Sequence, residues 1–365
     1  GNALNISARN DANAGTINID EVSGTVNLSA SNSLQSNNGD ITVIADDINI
    51  DENGINAGSG NVNLWPHDTG RIIRLGGGAS DFRLSNTEVG NITSTGTVTI
   101  GNSSNTGGIV IEGNFGRTGN LSLVTGGSIL RNAGSLSSNA ALNLEAVSGI
   151  GQISGPLPVV IGTVGSINAT NTTSGDLFLR TTGAVTLGVT SFGLSQFTGG
   201  AIRVDAGGDI NIGGDIYVGT GSLELNATGA ITRSGAFTLS AASVQLGLNA
   251  TTTSIGSDGN EILTSATTLL SARTSIGDIW LSNTGNVNFT AQSGGQLNLL
   301  NDGDANIEAQ ATGDIIITNT GSLTTAGPIS SDIGQAIITN SGNMTVDHDI
   351  TAPSGLNITL TNAGA

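Results

Sequence analysis

The sequence predicts an all-β protein, a right-handed parallel β-helix (a solenoid) of about 16–18 circuits of about 20 residues without significant helices. Three observations predict this fold: a recurring turn-and-strand phrase, the absence of helical periodicity, and a longer internal period. We expect one continuous solenoid over residues 1–365.

The recurring phrase is a glycine, an aspartate or asparagine, and then an apolar-x-apolar triplet. Strand side chains alternate between two faces, so the two apolar residues point into a core and the middle residue points to solvent. Gly, Asp and Asn supply the positive φ angles and side-chain hydrogen bonds of tight corners. Copies of the phrase begin at Gly39, Gly60, Gly119, Gly175, Gly208, Gly214, Gly277, Gly285, Gly313 and Gly342.

The strands that follow these corners are too short for most other β folds. No window keeps the i, i+3, i+4 apolar spacing of an amphipathic helix. Antiparallel sandwiches use two-residue hairpins and strands of about six residues. The triplets predict strands of about three to five residues with a turn at each corner, which is typical of a parallel solenoid.

A longer period joins these short units into modules. The phrase at Gly119 matches the one at Gly221, and the phrase at Gly175 matches the one at Gly277; both pairs are offset by 102 residues. About five circuits of about 20 residues therefore form one super-repeat. The predicted divisions are super-repeats at 119–220 and 221–322 and irregular circuits at 1–118 and 323–365.

Composition excludes several classes of function. The net charge is −18 and all ten basic residues are arginine, which opposes binding to nucleic acid. No apolar run approaches the ~20 residues of a membrane helix, so we expect no membrane insertion. There is no cysteine, which excludes disulfides and thiolate chemistry. A mean hydropathy of +0.11 with 10% charged residues also argues against disorder.

The phrase, the super-repeat and the stretch 60–78 together resemble the large bacterial surface exoproteins of the filamentous-haemagglutinin type. The resemblance implies a secreted, extracellular shaft on the bacterial cell surface, within an adhesin, a toxin stalk or a fibre. The Asn-Pro-Asn-Gly segment typical of that family's secretion domain is absent from the sequence. We therefore expect a processed piece of a non-enzymatic structural shaft.

Catalytic residues are not apparent. The two histidines, His67 and His348, lie in segments that read as turns, and the outward strand positions are mostly Asn, Thr and Ser. The alternative is a carbohydrate-active parallel β-helix enzyme of the polysaccharide lyase or hydrolase type, which requires two carboxylates and an arginine in one groove. We predict no catalytic site.

Metal binding is also not predicted at a specific site. Asp302 and Asp304, on either side of Gly303, are the calcium candidates because they place carboxylates near a turn. No acidic residue recurs in register with them. Diffuse binding of cations to an acidic chain is the alternative.

An aromatic residue occupies the middle of the triplet at Phe178, Tyr217 and Trp280. These three form a candidate outward contact patch for a glycan, or for a host or neighbouring-cell surface, because exposed rings are rare on polar strands. The alternative is that the loop 188–200 covers them.

Both ends of the sequence carry the strand pattern without a capping element, at residues 1–6 and 356–360. Open strand edges pair readily with other strands. We therefore expect self-association end to end, or stacking on the rest of a longer chain.

Overall fold

The computed structural model describes residues 2–77, 81–151, 159–188, 193–196 and 199–361. Stacked parallel strands form a β-solenoid of about 16 turns of about 21 residues, which confirms the predicted fold class. The chain forms two compact units, Gly1–Thr182 and Gly183–Ala365.

The described residues of the first unit form twenty strands and one short helix. They are β1 (Asn2–Asn5), β2 (Ala8–Asn13), β3 (Ile17–Asp20), β4 (Gly24–Leu28), β5 (Leu34–Asn37), β6 (Ile41–Ile44), β7 (Asp47–Ile50), β8 (Ile55–Gly58), β9 (Val62–Trp65), β10 (Ile73–Leu75), β11 (Phe82–Leu84), α1 (Asn86–Gly90), β12 (Ile92–Ser94), β13 (Val98–Ile100), β14 (Ile109–Ile111), β15 (Phe115–Arg117), β16 (Leu121–Val124), β17 (Ile129–Arg131), β18 (Leu136–Ala146), β19 (Val159–Asn171) and β20 (Leu177–Thr181).

The first circuits of this unit have three strands each, and each strand pairs in parallel with its counterpart in the next circuit. The three stacks are β1–β4–β7, β2–β5–β8 and β3–β6–β9. Ile41 and Val62 are paired in register, Val62 pairs in turn with Val98, and all three are fully buried. The inward residues of the phrase therefore form a continuous core stack, as the alternation predicts.

The helix α1 interrupts the strand pattern for five residues. A capping box holds its start: the Ser85 hydroxyl accepts from the Glu88 backbone N–H, and the Glu88 carboxylate accepts from the Ser85 N–H. Val89 anchors it to the core. One turn of helix does not alter the all-β class.

In the second unit, the residues that the structure describes form eighteen strands. They are β21 (Val185–Leu187), β22 (Leu194–Gln196), β23 (Ile202–Ala206), β24 (Ile210–Ile212), β25 (Ile216–Ala227), β26 (Ile231–Arg233), β27 (Thr238–Leu246), β28 (Ile262–Arg273), β29 (Ile279–Thr284), β30 (Val287–Ser293), β31 (Leu297–Asp302), β32 (Ala305–Ala311), β33 (Ile315–Asn319), β34 (Leu323–Ser331), β35 (Ala336–Asn340), β36 (Met344–Thr345), β37 (Ile350–Thr351) and β38 (Leu356–Leu360).

Two parallel stacks of longer strands build the later part of this unit, β28–β30–β32–β34 and β29–β31–β33–β35–β38. In the second stack Ile279, Leu297, Ile315 and Ala336 pair in register and are fully buried. The stack thus repeats one buried apolar position in each circuit.

A ladder of buried asparagines runs beside this apolar stack. Asn283, Asn301, Asn319 and Asn340 are each at most 3% exposed. The Nδ2 atom of each of the first three donates to the Oδ1 atom of the next, at 2.9, 2.7 and 2.8 Å. Each Nδ2 also donates to the carbonyl of the glycine two residues later. The ladder satisfies polar groups that would be costly to bury alone.

Candidate functional site

The aspartate or asparagine of the recurring phrase bonds to the next circuit. Asp40 Oδ1 accepts from the backbone N–H of Asn61 at 2.7 Å, and Asp314 Oδ1 accepts from that of Gln335 at 2.9 Å. Donor and acceptor occupy the same position in successive circuits, so these side chains join corners and are not grouped around a ligand. The same contact is made by Asn61, Asn120, Asp209, Asp278, Asn286 and Asp304.

The three aromatic residues predicted to form a contact patch differ in exposure. Tyr217 is 48% exposed and Trp280 is half-buried, whereas Phe178 is only 7% exposed. Phe178 lies in the first unit, and the other two lie in the second. Phe178 is therefore buried, whereas the contact-patch prediction requires its ring to be exposed. The loop 188–200, the predicted alternative cover, lies partly outside the described residues.

The calcium candidates have hydrogen-bond partners in the next circuit. Asp302 Oδ1 accepts from Thr320 Oγ1, and Asp304 Oδ1 accepts from the Ser322 backbone N–H, both at 2.7 Å. Calcium takes six to eight oxygen ligands. Across the described ranges, no three or more His, Cys, Asp or Glu side chains gather to hold a metal ion. Calcium at Asp302 and Asp304 stays a prediction.

Both histidines lie in connections between strands. His67 Nδ1 is 2.9 Å from Asp20 Oδ1 in the first unit. In the second unit, His348 lies in an exposed turn after β36, where the backbone N–H groups of Asp347 and His348 donate to Thr325 Oγ1 at 2.8 and 2.9 Å. The bonds to Thr325 hold the turn through its backbone, and the His348 side chain is exposed to solvent.

Among the contacts between described residues, two clusters bring an arginine together with two carboxylates, which is the arrangement that the enzyme alternative requires. In the first unit, Arg74 Nε donates to Asp81 Oδ2 at 2.9 Å, and its Nη1 donates to Glu112. The hydrogen bond to Asp81 is the largest cause that raises the pKa of the Arg74 guanidinium. Both carboxylates are thus paired with the same arginine.

The second cluster lies on β23 and β25. Arg203 Nε donates to Asp205 Oδ1 at 3.0 Å, and Arg203 Nη1 is 3.8 Å from Glu224 Oε2. Asn226, only 2% exposed, donates to both carboxylates at 2.8 Å. General acid–base catalysis requires a carboxyl group within reach of a substrate, and here both carboxylates already accept hydrogen bonds from protein donors.

The outward side of the β28–β30–β32–β34 stack, which we call the polar face, is a third candidate site. Three cavities of about 320, 450 and 290 Å³ lie on it. Arg273, Gln292 and Gln310 line both the first and the third cavity, so these two cavities flank one row of side chains, and we call the two together the groove. The second cavity lies towards the beginning of the strands, around Asn288 and Asn306.

Parallel register places the outward side chains of the polar face in rows across the strands. One row is Arg273, Gln292, Gln310 and Ser330. Another is Asn288, Asn306 and Thr324, in which Asn306 Nδ2 donates to Asn288 Oδ1 at 2.9 Å. Each row thus holds a polar side chain at the same position of every circuit.

The groove presents polar groups that the protein itself does not use. Arg273, Gln292 and Gln310 are exposed, and their side chains make no hydrogen bond or ion pair to any other described residue. Glu308 and Asp332 are the carboxylates that line the groove. These donors and acceptors are available to a ligand.

Sequence reasoning recognised the outward Asn, Thr and Ser only as a solvated face. The signal for the polar face is the recurrence of one side-chain type at one spacing, as for Asn288 and Asn306, which are 18 residues apart. Gln292 and Gln310 repeat at that same spacing. Only the structure shows the register in which residues at this spacing become neighbours on adjacent strands.

No protein-family model, curated protein or solved structure matches this chain. In the part of the chain that the structure describes, no helix is long and apolar enough to cross a membrane. Function is therefore inferred from the solenoid, the ionic clusters and the polar face.

Proposed function

We propose that the chain is a non-enzymatic, extracellular structural rod, the shaft of a bacterial adhesin or surface fibre of the filamentous-haemagglutinin-like type. The solenoid of about 16 parallel-stranded turns carries this proposal. Most of the recurring polar side chains bond one circuit to the next, as Asp314 does to Gln335. These bonds between circuits make the solenoid stiffer, so the repeated acidic residues have a structural role.

The means of stabilisation also support an extracellular rod. The chain has no cysteine, so its rigidity does not depend on oxidation. Buried amide ladders and stacked corners act between nearest-neighbour circuits, which allows a solenoid to be long without a single large core. A net charge of −18 favours solubility and separation from other acidic surfaces.

The end of the second unit supports self-association, or stacking on further chain, as part of this proposal. Leu356 and Ile358 on β38 are 50% and 39% exposed. Their partners in register on β35, Ala336 and Ile338, are fully buried. The inward side chains of β38 thus form an apolar surface that another circuit would cover.

Two measurements test the rod. Antibody against the chain should label intact cells of the source organism, and protease added outside those cells should remove the label. Small-angle scattering of the purified chain should give an elongated particle. Labelling that requires lysis, or a spherical particle, would contradict the proposal.

The second candidate function is the carbohydrate-active enzyme, favoured by the Arg203, Asp205 and Glu224 cluster. Its test is release of reducing ends, or of unsaturated product, from a panel of plant and bacterial polysaccharides. The rod proposal expects no turnover. Turnover that is lost in both Asp205→Asn and Glu224→Gln would establish the enzyme instead.

A further inference from the structure

We propose that the polar face is a binding site for a neutral polysaccharide, which lies along the row Arg273, Gln292, Gln310 and Ser330. This proposal goes beyond the structural role, because it assigns a ligand class to one surface of the second unit. It does not depend on where the protein is located.

The shape of the groove suits an extended chain. Two cavities, of about 320 and 290 Å³, share Arg273, Gln292 and Gln310 and therefore lie along one row of side chains. Neighbouring strands in a sheet are ~4.8 Å apart. A polymer that crosses the strands would meet a polar side chain at each circuit, so its affinity would add up over several weak contacts.

The chemistry of the row suits hydroxyl groups. A glutamine amide offers two donors and an acceptor, and a serine hydroxyl offers both roles. Sugar hydroxyls also donate and accept. Gln292 and Gln310 have no side-chain partner among the described residues, so a ligand would replace only water and would break no protein contact.

The charge of the groove favours a neutral polymer over an acidic one. Arg273 is the one basic residue among the described residues that line it, and Glu308 and Asp332 line the same space. The whole chain has a net charge of −18, which repels polyanions at a distance. The guanidinium of Arg273 offers five N–H donors to hydroxyl oxygens without requiring a negative partner.

Peptide and lipid partners fit this surface less well. A peptide that adds a strand needs an open sheet edge, but β30 and β32 are each paired on both sides. A lipid needs a contiguous exposed apolar patch. The large exposed hydrophobic residues of the second unit, such as Ile276 and Ile333, are not among the residues that line the groove.

The test is affinity gel electrophoresis of the full chain in gels containing a soluble β-glucan, a galactomannan or a xylan, with polygalacturonate as the acidic comparison. We expect at least one neutral polymer to retard the chain. The double variant Gln292→Ala/Gln310→Ala should weaken that binding by at least about tenfold, because it removes two adjacent rungs. The matched control is Thr318→Ala/Thr339→Ala, a paired outward row on β33 and β35, which should bind as the unmodified chain does.

The folded state of each variant is checked by circular dichroism and its melting temperature, and outward strand positions tolerate such changes. If the double variant unfolds, Arg273→Glu tests the same row and should also lose binding. Retardation by none of the neutral polymers, equal weakening in the control, or tighter binding of polygalacturonate would overturn the proposal. None of these outcomes bears on surface labelling or particle shape, so the rod proposal is tested separately.

Discussion

The side chains of Asn301 and Asn319 form one rung of a ladder that is buried in the second unit. Asn301 Nδ2 lies 2.7 Å from Asn319 Oδ1, and the two residues are 3% and 0% exposed. The Asn319 Nδ2 atom in turn donates to Asn340 Oδ1 at 2.8 Å. Every amide in the ladder is thus both donor and acceptor, which fixes the register of successive circuits.

Asn319→Ala should destabilise the second unit by about 2–4 kcal/mol, because it removes the ladder donor of Asn340 Oδ1 and one of the two acceptors of Asn301 Nδ2 in a buried site. The matched control is Asn306→Ala, which removes a similar 2.9 Å bond to Asn288 at the surface. There water replaces the lost partner, so the cost should stay below about 1 kcal/mol. Urea denaturation measures both; equal costs would show that burial of the ladder contributes nothing.

Asp314→Ala should cost about 1–2 kcal/mol, since it removes the acceptor of the Gln335 N–H. Asp314→Asn keeps an oxygen at the same place and should retain most of that stability. Thermal unfolding monitored by circular dichroism compares the two variants. A loss in Asp314→Asn as large as that in Asp314→Ala would mean that the charge, and not the hydrogen bond, matters at this corner.

Gly60→Ala should destabilise the first unit severely, by about 3 kcal/mol or more, because a β-carbon there would overlap the carbonyl oxygen of Gly39 in the preceding circuit. Gly90→Ala is the matched control, since a β-carbon at the end of α1 meets no atom within 4 Å. It should be neutral or slightly stabilising. Comparable melting temperatures for the two variants would contradict close stacking of the glycine corners.

Burial raises the pKa of the Asp47 carboxyl, although the backbone N–H of Arg83 opposes this shift. A carboxyl with a higher pKa in the folded chain than in the unfolded chain contributes most to stability in acid. That contribution is lost as the pH rises through the raised pKa. Asp47→Asn should therefore gain stability relative to the unmodified chain as the pH rises from 3.8, the ordinary pKa of the group.

Urea denaturation of both proteins across the acid range measures this difference. The control is Asp258→Asn, which removes the same charge from an exposed turn. If the stability difference between Asp47→Asn and the unmodified chain does not change with pH, or changes as it does for the control, then burial of Asp47 is not its cause.

Leu356→Ser/Ile358→Ser should reduce self-association of the purified chain, because these partly exposed residues on β38 occupy inward positions. Ile333→Ser is the control, since Ile333 is 69% exposed at a corner. Light scattering during size-exclusion chromatography over a range of concentrations gives the mass. A chain that stays monomeric at the highest concentration would make end-to-end stacking wrong.

Much of the fold was predictable because its signals are local. Alternation in triplets such as Ile41-Thr42-Val43 reports which side chains are buried, and Gly39 marks the corner that precedes it. The same rule placed Phe178 in the predicted contact patch, but this residue is only 7% exposed, since alternation reports the face of a side chain and not whether that face is covered. The super-repeats at 119–220 and 221–322 stay a prediction.

The sequence by itself determined that this chain forms short parallel strands with glycine corners, because those preferences act within a few residues. Only the tertiary structure decided what its asparagines do. Asn283 and Asn301 form a buried ladder, whereas Asn288 and Asn306, at the same spacing of 18 residues, form an exposed one. The difference depends on how each circuit turns and stacks, and stacking joins side chains that are distant along the sequence.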